Sequence, residues 1–158
     1  MAQPNPRRSR KSKPAPSLRA RALRILARRE YSRQELARKL APFTENPGEI
    51  SELLDDFERR GWLSESRVVG QVLASRRRRF GAQRIAHELR EKGVSDAAIA
   101  GAQQQLQESE LDAARAIWQK KFDISPTNAR DKARQMRFLQ GRGFSLDVIR
   151  KLFRANND

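Results

Sequence analysis

The chain has 158 residues with 34 Lys plus Arg against 19 Asp plus Glu, a formal net charge of +15, no Cys and one His. That composition excludes disulfide frameworks, thiolate catalysis and Cys-based zinc sites, and a single histidine cannot build a His-rich metal site. No apolar run reaches the roughly 18 to 20 residues that span a bilayer and no apolar signal region opens the chain, so a cytoplasmic location without membrane contact is expected. In chain order, residues 1–17 are proline-rich and hold five bases and no acid. Such a stretch has too little apolar surface to offset the entropy of ordering it, and a disordered basic tail is expected. Beyond it the apolar residues follow helical spacing, clearest in Ile50, Leu53, Leu54 and Phe57 at i, i+3, i+4 and i+7. Strand alternation is absent. Nine helices are predicted, at about 18–29, 32–41, 46–60, 65–79, 82–92, 95–106, 109–122, 128–141 and 145–155.

These helices group in threes because the turns between them repeat. Gly61-Trp62-Leu63-Ser64 leads to Val68, Gly93-Val94-Ser95 to Ile99, and Gly143-Phe144-Ser145 to Ile149. A Gly just past a helix supplies a left-handed cap, the apolar residue after it packs back, and the Ser caps the next helix. Tyr31-Ser32 leading to Leu36 is a similar phrase without the Gly, and Ser32 with Glu35 has capping-box spacing. The unit recurs about every 47 residues, which predicts an all-α, elongated fold of three tandem three-helix modules at about 18–62, 63–107 and 108–158.

Each module collects a small core from its apolar stripes. The first uses Leu18, Ala22, Ile25, Leu26, Leu36, Leu40, Ile50, Leu53, Leu54 and Phe57. The second uses Val68, Val69, Val72, Leu73, Ile85, Leu89, Ile99, Ala102 and Leu106, and the third Leu111, Ala114, Trp118, Phe122, Met136, Leu139, Ile149, Leu152 and Phe153. Cores this small imply that contact between neighbouring modules contributes to stability.

Charge is unevenly placed. Residues 45–58 carry six acids and no base, whereas residues 59–90 carry nine bases against two acids, including the run Arg76, Arg77, Arg78 and Arg79. Four successive guanidinium groups exceed what a helix dipole calls for. Together with Arg84 they are the candidate contact for a polyanion or an acidic protein, set against the plainer reading of a solvated, solubilising surface. Other signals are weaker. No Gly is followed by Lys, so the chain holds no P-loop. His87 reads as a solvent-facing or capping residue, since no nucleophile spacing accompanies it. Asp55 and Asp56 point some 100° apart on a helix and read as an acidic solvated face. Trp62, Trp118 and Phe144 lie at turns or on apolar stripes, which favours core packing over base stacking.

Four phrases in order resemble the signatures of the RecX family of bacterial recombination regulators. RALRILARREYSRQELARKL (21–40) is similar to that family's opening signature through Arg21, Ala22, Leu23, Leu26, Arg29, Ser32, Glu35, Leu36, Lys39 and Leu40. RGWLSESR (60–67) resembles its Gly-aromatic-Leu turn followed by Arg. RFGAQRIAHELREKGV (79–94) resembles its middle signature through Gly81, Arg84, Ile85, Glu88, Leu89, Lys92 and Gly93, and RFLQGRGF (137–144) its last through Phe138, Leu139, Arg142, Gly143 and Phe144. Ser64 stands where the family often has Asp, and Val68 where an aromatic is common.

The resemblance implies a tandem three-helix protein that binds the RecA recombinase, most effectively as a filament on single-stranded DNA, and restrains its ATPase, strand-exchange and co-protease activities. It implies no catalytic residue, cofactor or metal, and a monomer is expected. A helical-repeat protein that acts by occupying single- or double-stranded DNA is the competing expectation, because turn-linked helices also serve DNA readers. An enzyme such as a nuclease is disfavoured by the scarcity of His and of clustered carboxylates.

Overall fold

A computed structural model describes residues 12–157, all of whose regular elements are helical. Of the expected basic tail, residues 1–11 lie outside the described residues. Among the described residues there are eight α-helices: α1 (Leu18–Leu26), α2 (Arg33–Leu40), α3 (Pro47–Arg59), α4 (Glu65–Arg76), α5 (Ala82–Glu91), α6 (Asp96–Lys121), α7 (Ala129–Gly141) and α8 (Leu146–Ala155), with a 3₁₀ turn at Ala41–Phe43.

The repeated turn phrases do what their chemistry predicts. Gly61, Gly93 and Gly143 adopt φ of 71°, 77° and 91° immediately after the α3, α5 and α7 C-caps. Ser64, Ser95 and Ser145 then cap α4, α6 and α8 by accepting from the amides of Arg67, Ala98 and Val148. Ser32 and Glu35 form the full capping box of α2.

Three separate apolar clusters confirm three modules, and every predicted core residue lies in or against its own cluster. Tyr31 and Leu63 add to the first, Ala86 and Val94 to the second, and Phe144 to the third. Trp118 is 4% exposed, as core packing requires. Trp62 differs: it is 41% exposed and sits on the outside of the first core, edge-on to Phe57 at 5.5 Å with the guanidiniums of Arg19 and Arg60 over its ring.

The helix count is eight rather than nine, because the third helix of the second module runs without a break into the first helix of the third. Between Gln103 and Glu110 the chain holds only Gln, Leu, Glu and Ser, with no Gly or Pro to stop a helix. The buried residues Ala102, Leu106, Ala114 and Trp118 recur in multiples of four along this 26-residue helix. At 100° per residue, Ala102 and Trp118 face directions roughly 160° apart. A single strut thus seals the second core on one side and the third on the other, and the expected boundary at 107/108 falls inside it.

The two junctions differ in kind. Between the second and third modules, besides the shared α6, two backbones are in direct contact. The Gly81 amide donates to the Arg142 carbonyl at 2.8 Å, and the Gln83 amide to the Gly143 carbonyl at 3.1 Å. A Cβ at Gly81 would collide with the backbone of Gly143, and one at Gly143 with the backbone nitrogen of Arg84. The first module meets the second through polar side chains. Ser32 donates to the Lys92 carbonyl, Lys92 Nζ lies 2.7 Å from Glu35, and Arg67 Nε lies 2.9 Å from Glu30.

Candidate functional site

The five arginines singled out by the sequence do not form one patch. Only Arg76 belongs to α4; the chain leaves the helix at Arg77 and turns, with the amides of Arg79 and Phe80 both donating to the Arg76 carbonyl. Predicting the helix to residue 79 overlooked this turn, which carries Gly81 to its partner in the third module. Arg76 points back at α5 and pairs with Glu88 through Nε at 3.0 Å. Arg84 lies over the Phe80 ring, 4.1 Å from its centroid, and donates to the Gly141 carbonyl at 3.3 Å. Arg77 donates to Ser109 Oγ on α6 at 2.9 Å.

Arg78 and Arg79 are exposed and line a cleft of about 490 Å³ between the second and third modules. Its other walls are Ala116, Ile117, Lys120 and Lys121 of α6, with Phe138 and Arg142 at the end of α7. Five of the eight lining residues are cations, and none of the five is in an ion pair among the described residues. The Arg142 guanidinium stands 5.6 Å from the Phe80 centroid and 5.5 Å from that of Phe138, while Lys121 Nζ is 5.6 Å from Phe138. These aromatic faces hold the cations in place without neutralising them.

Lys120, Lys121 and Arg142 were not among the residues predicted from the sequence. They lie more than forty positions beyond Arg79, and only the packing of α4, α6 and α7 around the junction brings them together. A second cleft, of about 380 Å³, shares Arg78 and Ala116 with the first and continues past Arg77 to Ser109 and Asp112.

Several charges outside this cleft are paired with near neighbours. Asp56 accepts from Arg19 at 3.0 Å, which with Arg60 at 2.9 Å keeps its carboxyl below the usual carboxylate range. Arg33 spans Asp55 and Glu58. His87 is exposed beside Glu91 at 3.2 Å. Among the described residues, no group of His, Asp or Glu side chains is arranged to hold a metal ion, and no helix is long and apolar enough to cross a membrane.

A row of three-helix modules with shallow cationic clefts defines a helical-repeat protein built around its surfaces. Models of the first, second and third RecX three-helix domains match residues 19–55, 64–102 and 108–153 in that order, and the chain belongs to the RecX family. It is 48% identical over 143 residues to the regulatory protein RecX of Leptothrix cholodnii, covering 90% of this chain and 91% of that one. It is 43% identical over 142 residues to the regulatory protein RecX of Chromobacterium violaceum, covering 90% and 92%. The crystal structure of RecX from Lactobacillus salivarius superposes with a TM-score of 0.79 at 18% identity, over 87% of this chain and 93% of that one, and shares its fold.

Proposed function

We propose that this chain is a non-enzymatic regulator that binds the RecA recombinase, most effectively as a filament on single-stranded DNA, and restrains its ATPase, strand-exchange and co-protease activities. The observation that carries this reading is the family match along all three modules, with relatives that bear the name regulatory protein RecX and align over nine-tenths of the chain. The chain works as a monomer in the cytoplasm, and its contact surface includes the arginines of the middle module. Arg77, Arg78, Arg79 and Arg84 are exposed, while Arg76 is half-buried in its pair with Glu88.

The physics of a row of modules supports such a role. Several modest contacts made by linked modules on a repeating partner combine through effective concentration. A net charge of +15 provides long-range attraction to acidic protein faces or phosphates, and this attraction weakens with salt.

The test is the ATPase of RecA on single-stranded DNA with the pure chain added below one copy per RecA protomer. Inhibition at such ratios is expected. An ATPase unchanged at equimolar protein, with no co-sedimentation of the chain with filaments, rules the reading out. Replacing Arg76, Arg77, Arg78, Arg79 and Arg84 together with Ala should weaken inhibition; an unchanged inhibition curve removes these residues from the contact.

A further inference from the structure

We infer that the first module is a latched head, which swings on the Leu63–Ser64 link against a rigid body made of the second and third modules and is held closed by the ion pairs Glu35–Lys92 and Glu30–Arg67. The latch is a property of the free chain and requires no recombinase.

The link is short, and its two residues belong to different bodies. Leu63 is buried in the first core, and its amide and that of Trp62 both donate to the Phe57 carbonyl, so the chain up to Leu63 moves with α3. Ser64 caps α4 by accepting from the Arg67 amide and moves with the second module. The backbone at Ser64 is extended, with φ −144° and ψ 118°, and a few torsions of this kind absorb a domain rotation.

What resists that rotation is polar. Ser32 donates from the head to the Lys92 carbonyl, Lys92 Nζ lies 2.7 Å from Glu35, Arg67 Nε lies 2.9 Å from Glu30, and the Gln34 side chain lies against Gly93. The apolar clusters stop short of the junction, the first ending at Leu63 and the second beginning at Val68. A cavity of about 210 Å³ opens there, lined by Ser32, Arg33, Glu58 and Leu63 of the head and by Glu65, Gly93 and Val94 of the body. A junction with a void in place of interdigitated side chains gains little dispersion energy on closing, and water replaces its polar ties at small cost. Rotation at the second junction would instead break two backbone hydrogen bonds and the continuous α6.

The two ion pairs differ in their response to salt. Arg67 and Glu30 keep 46% and 29% of their side chains exposed and are screened, whereas Lys92 and Glu35 keep 17% and 16% and are screened much less.

The test uses the full chain, which has no Cys of its own, so that introduced cysteines carry spin labels at known places. Glu52→Cys on α3 with Gln105→Cys on α6 spans the first junction, and Gln105→Cys with Gln140→Cys on α7 spans the second, all at exposed positions. Pulsed electron resonance then reads a distance distribution across each junction. The first is expected to be narrow at about 0.1 M salt and to broaden at about 1 M, as the screening length falls from about 10 to about 3 Å. It should broaden by about twofold or more when Lys92→Glu/Arg67→Glu makes both ties repulsive. The second distribution should hold its width throughout. Adding Glu30→Arg to Arg67→Glu restores one tie with the charges exchanged, and should narrow the first distribution relative to Arg67→Glu alone, which a merely damaged fold would not do. A first distribution that neither salt nor charge reversal changes overturns the inference. So does one already broad in the unmodified chain at the lower salt, since the ties then hold nothing. Equal broadening across the second junction overturns it as well, because the motion is then not confined to the Leu63–Ser64 link.

Discussion

Lys92 Nζ and Glu35 Oε1 meet at 2.7 Å across the junction of the first two modules, with both side chains more than four-fifths buried. Glu35 serves two ends at once. Its carboxylate accepts from the Ser32 amide at 3.0 Å to complete the α2 capping box, and reaches Lys92 at the C-cap of α5. Burial by itself raises the pKa of this carboxyl, but Lys92, the Ser32 amide and Arg29 outweigh it and leave the group below its ordinary value.

Replacing Glu35 with Gln separates those two ends, since Gln at the third helical position preserves the capping box while removing the ion pair. We expect Glu35→Gln to lower the stability of the intact chain at pH 7 by about 1 kcal/mol. The sign of the pH dependence follows from the depressed pKa. The stabilisation is fully present above the unfolded carboxyl's value, near about 4.3, and is lost as pH falls through the lower folded value. Urea denaturation of both proteins between pH 7 and pH 3 should therefore show a gap that closes in acid. A gap that widens on acidification contradicts the assignment.

The direct backbone contact between the second and third modules predicts opposite signs at four glycines. Gly81→Ala would push a methyl into the backbone of Gly143, and overpacking of this kind costs about 1–3 kcal/mol. Gly143→Ala adds to its collision with Arg84 the strain of a left-handed backbone, about 1–2 kcal/mol more. Gly70 on α4 and Gly101 on α6 have open space where a Cβ would go. Alanine at either should stabilise by about 0.5–1 kcal/mol, because Gly weakens a helix interior. Thermal unfolding of the four single variants measures all the signs together.

The turns and cores were legible in the sequence because their causes are local. A Gly–apolar–Ser phrase carries its own cap geometry, and apolar residues three and four apart share a face whatever lies opposite them. The continuous α6 was not, because the repeat suggested a break at about 107 that no residue there enforces. The cationic cleft was half legible. Arg78 and Arg79 stand in a visible run, but Lys120, Lys121 and Arg142 join them only once two modules are docked through Gly81 and Gly143. Trp62 shows the limit of position on a stripe, since the small first core is already closed by Phe57 and Leu63 and leaves the indole outside.

The division among the arginines of the middle module yields a ranking. Arg76→Ala should lower stability by about 0.5–1 kcal/mol, since it leaves Glu88 without its partner at a partly exposed site. Arg78→Ala and Arg79→Ala remove exposed side chains without ion pairs and should stay within about 0.5 kcal/mol of the unmodified chain. Their effects on RecA inhibition should rank the other way, with Arg78→Ala and Arg79→Ala raising the half-inhibitory concentration more than Arg76→Ala does at a temperature where all three are folded. Melting temperature and inhibition, measured on the same preparations, decide it. Parallel rankings in the two measurements would count against separate roles.

Gln135 is the buried polar residue on which the third core depends. It is 2% exposed, accepts from Trp118 Nε1 at 2.7 Å, and donates through Nε2 to the Ile124 carbonyl at 3.1 Å. It thereby ties the α6–α7 connection to the indole that fills the module. Gln135→Leu keeps much of the volume but strands the indole N–H and a carbonyl, which should cost about 1–3 kcal/mol. Trp118→Phe removes the donor and leaves the Gln135 oxygen unpaired, with the loss of a large buried ring added. Because each single substitution orphans a group that the other removes, the double variant should be less destabilised than the sum of the two by about 1 kcal/mol or more. Circular dichroism at 222 nm during guanidinium denaturation follows all four proteins without relying on the indole that two of them lack. Strict additivity would mean that the hydrogen bond contributes nothing beyond packing.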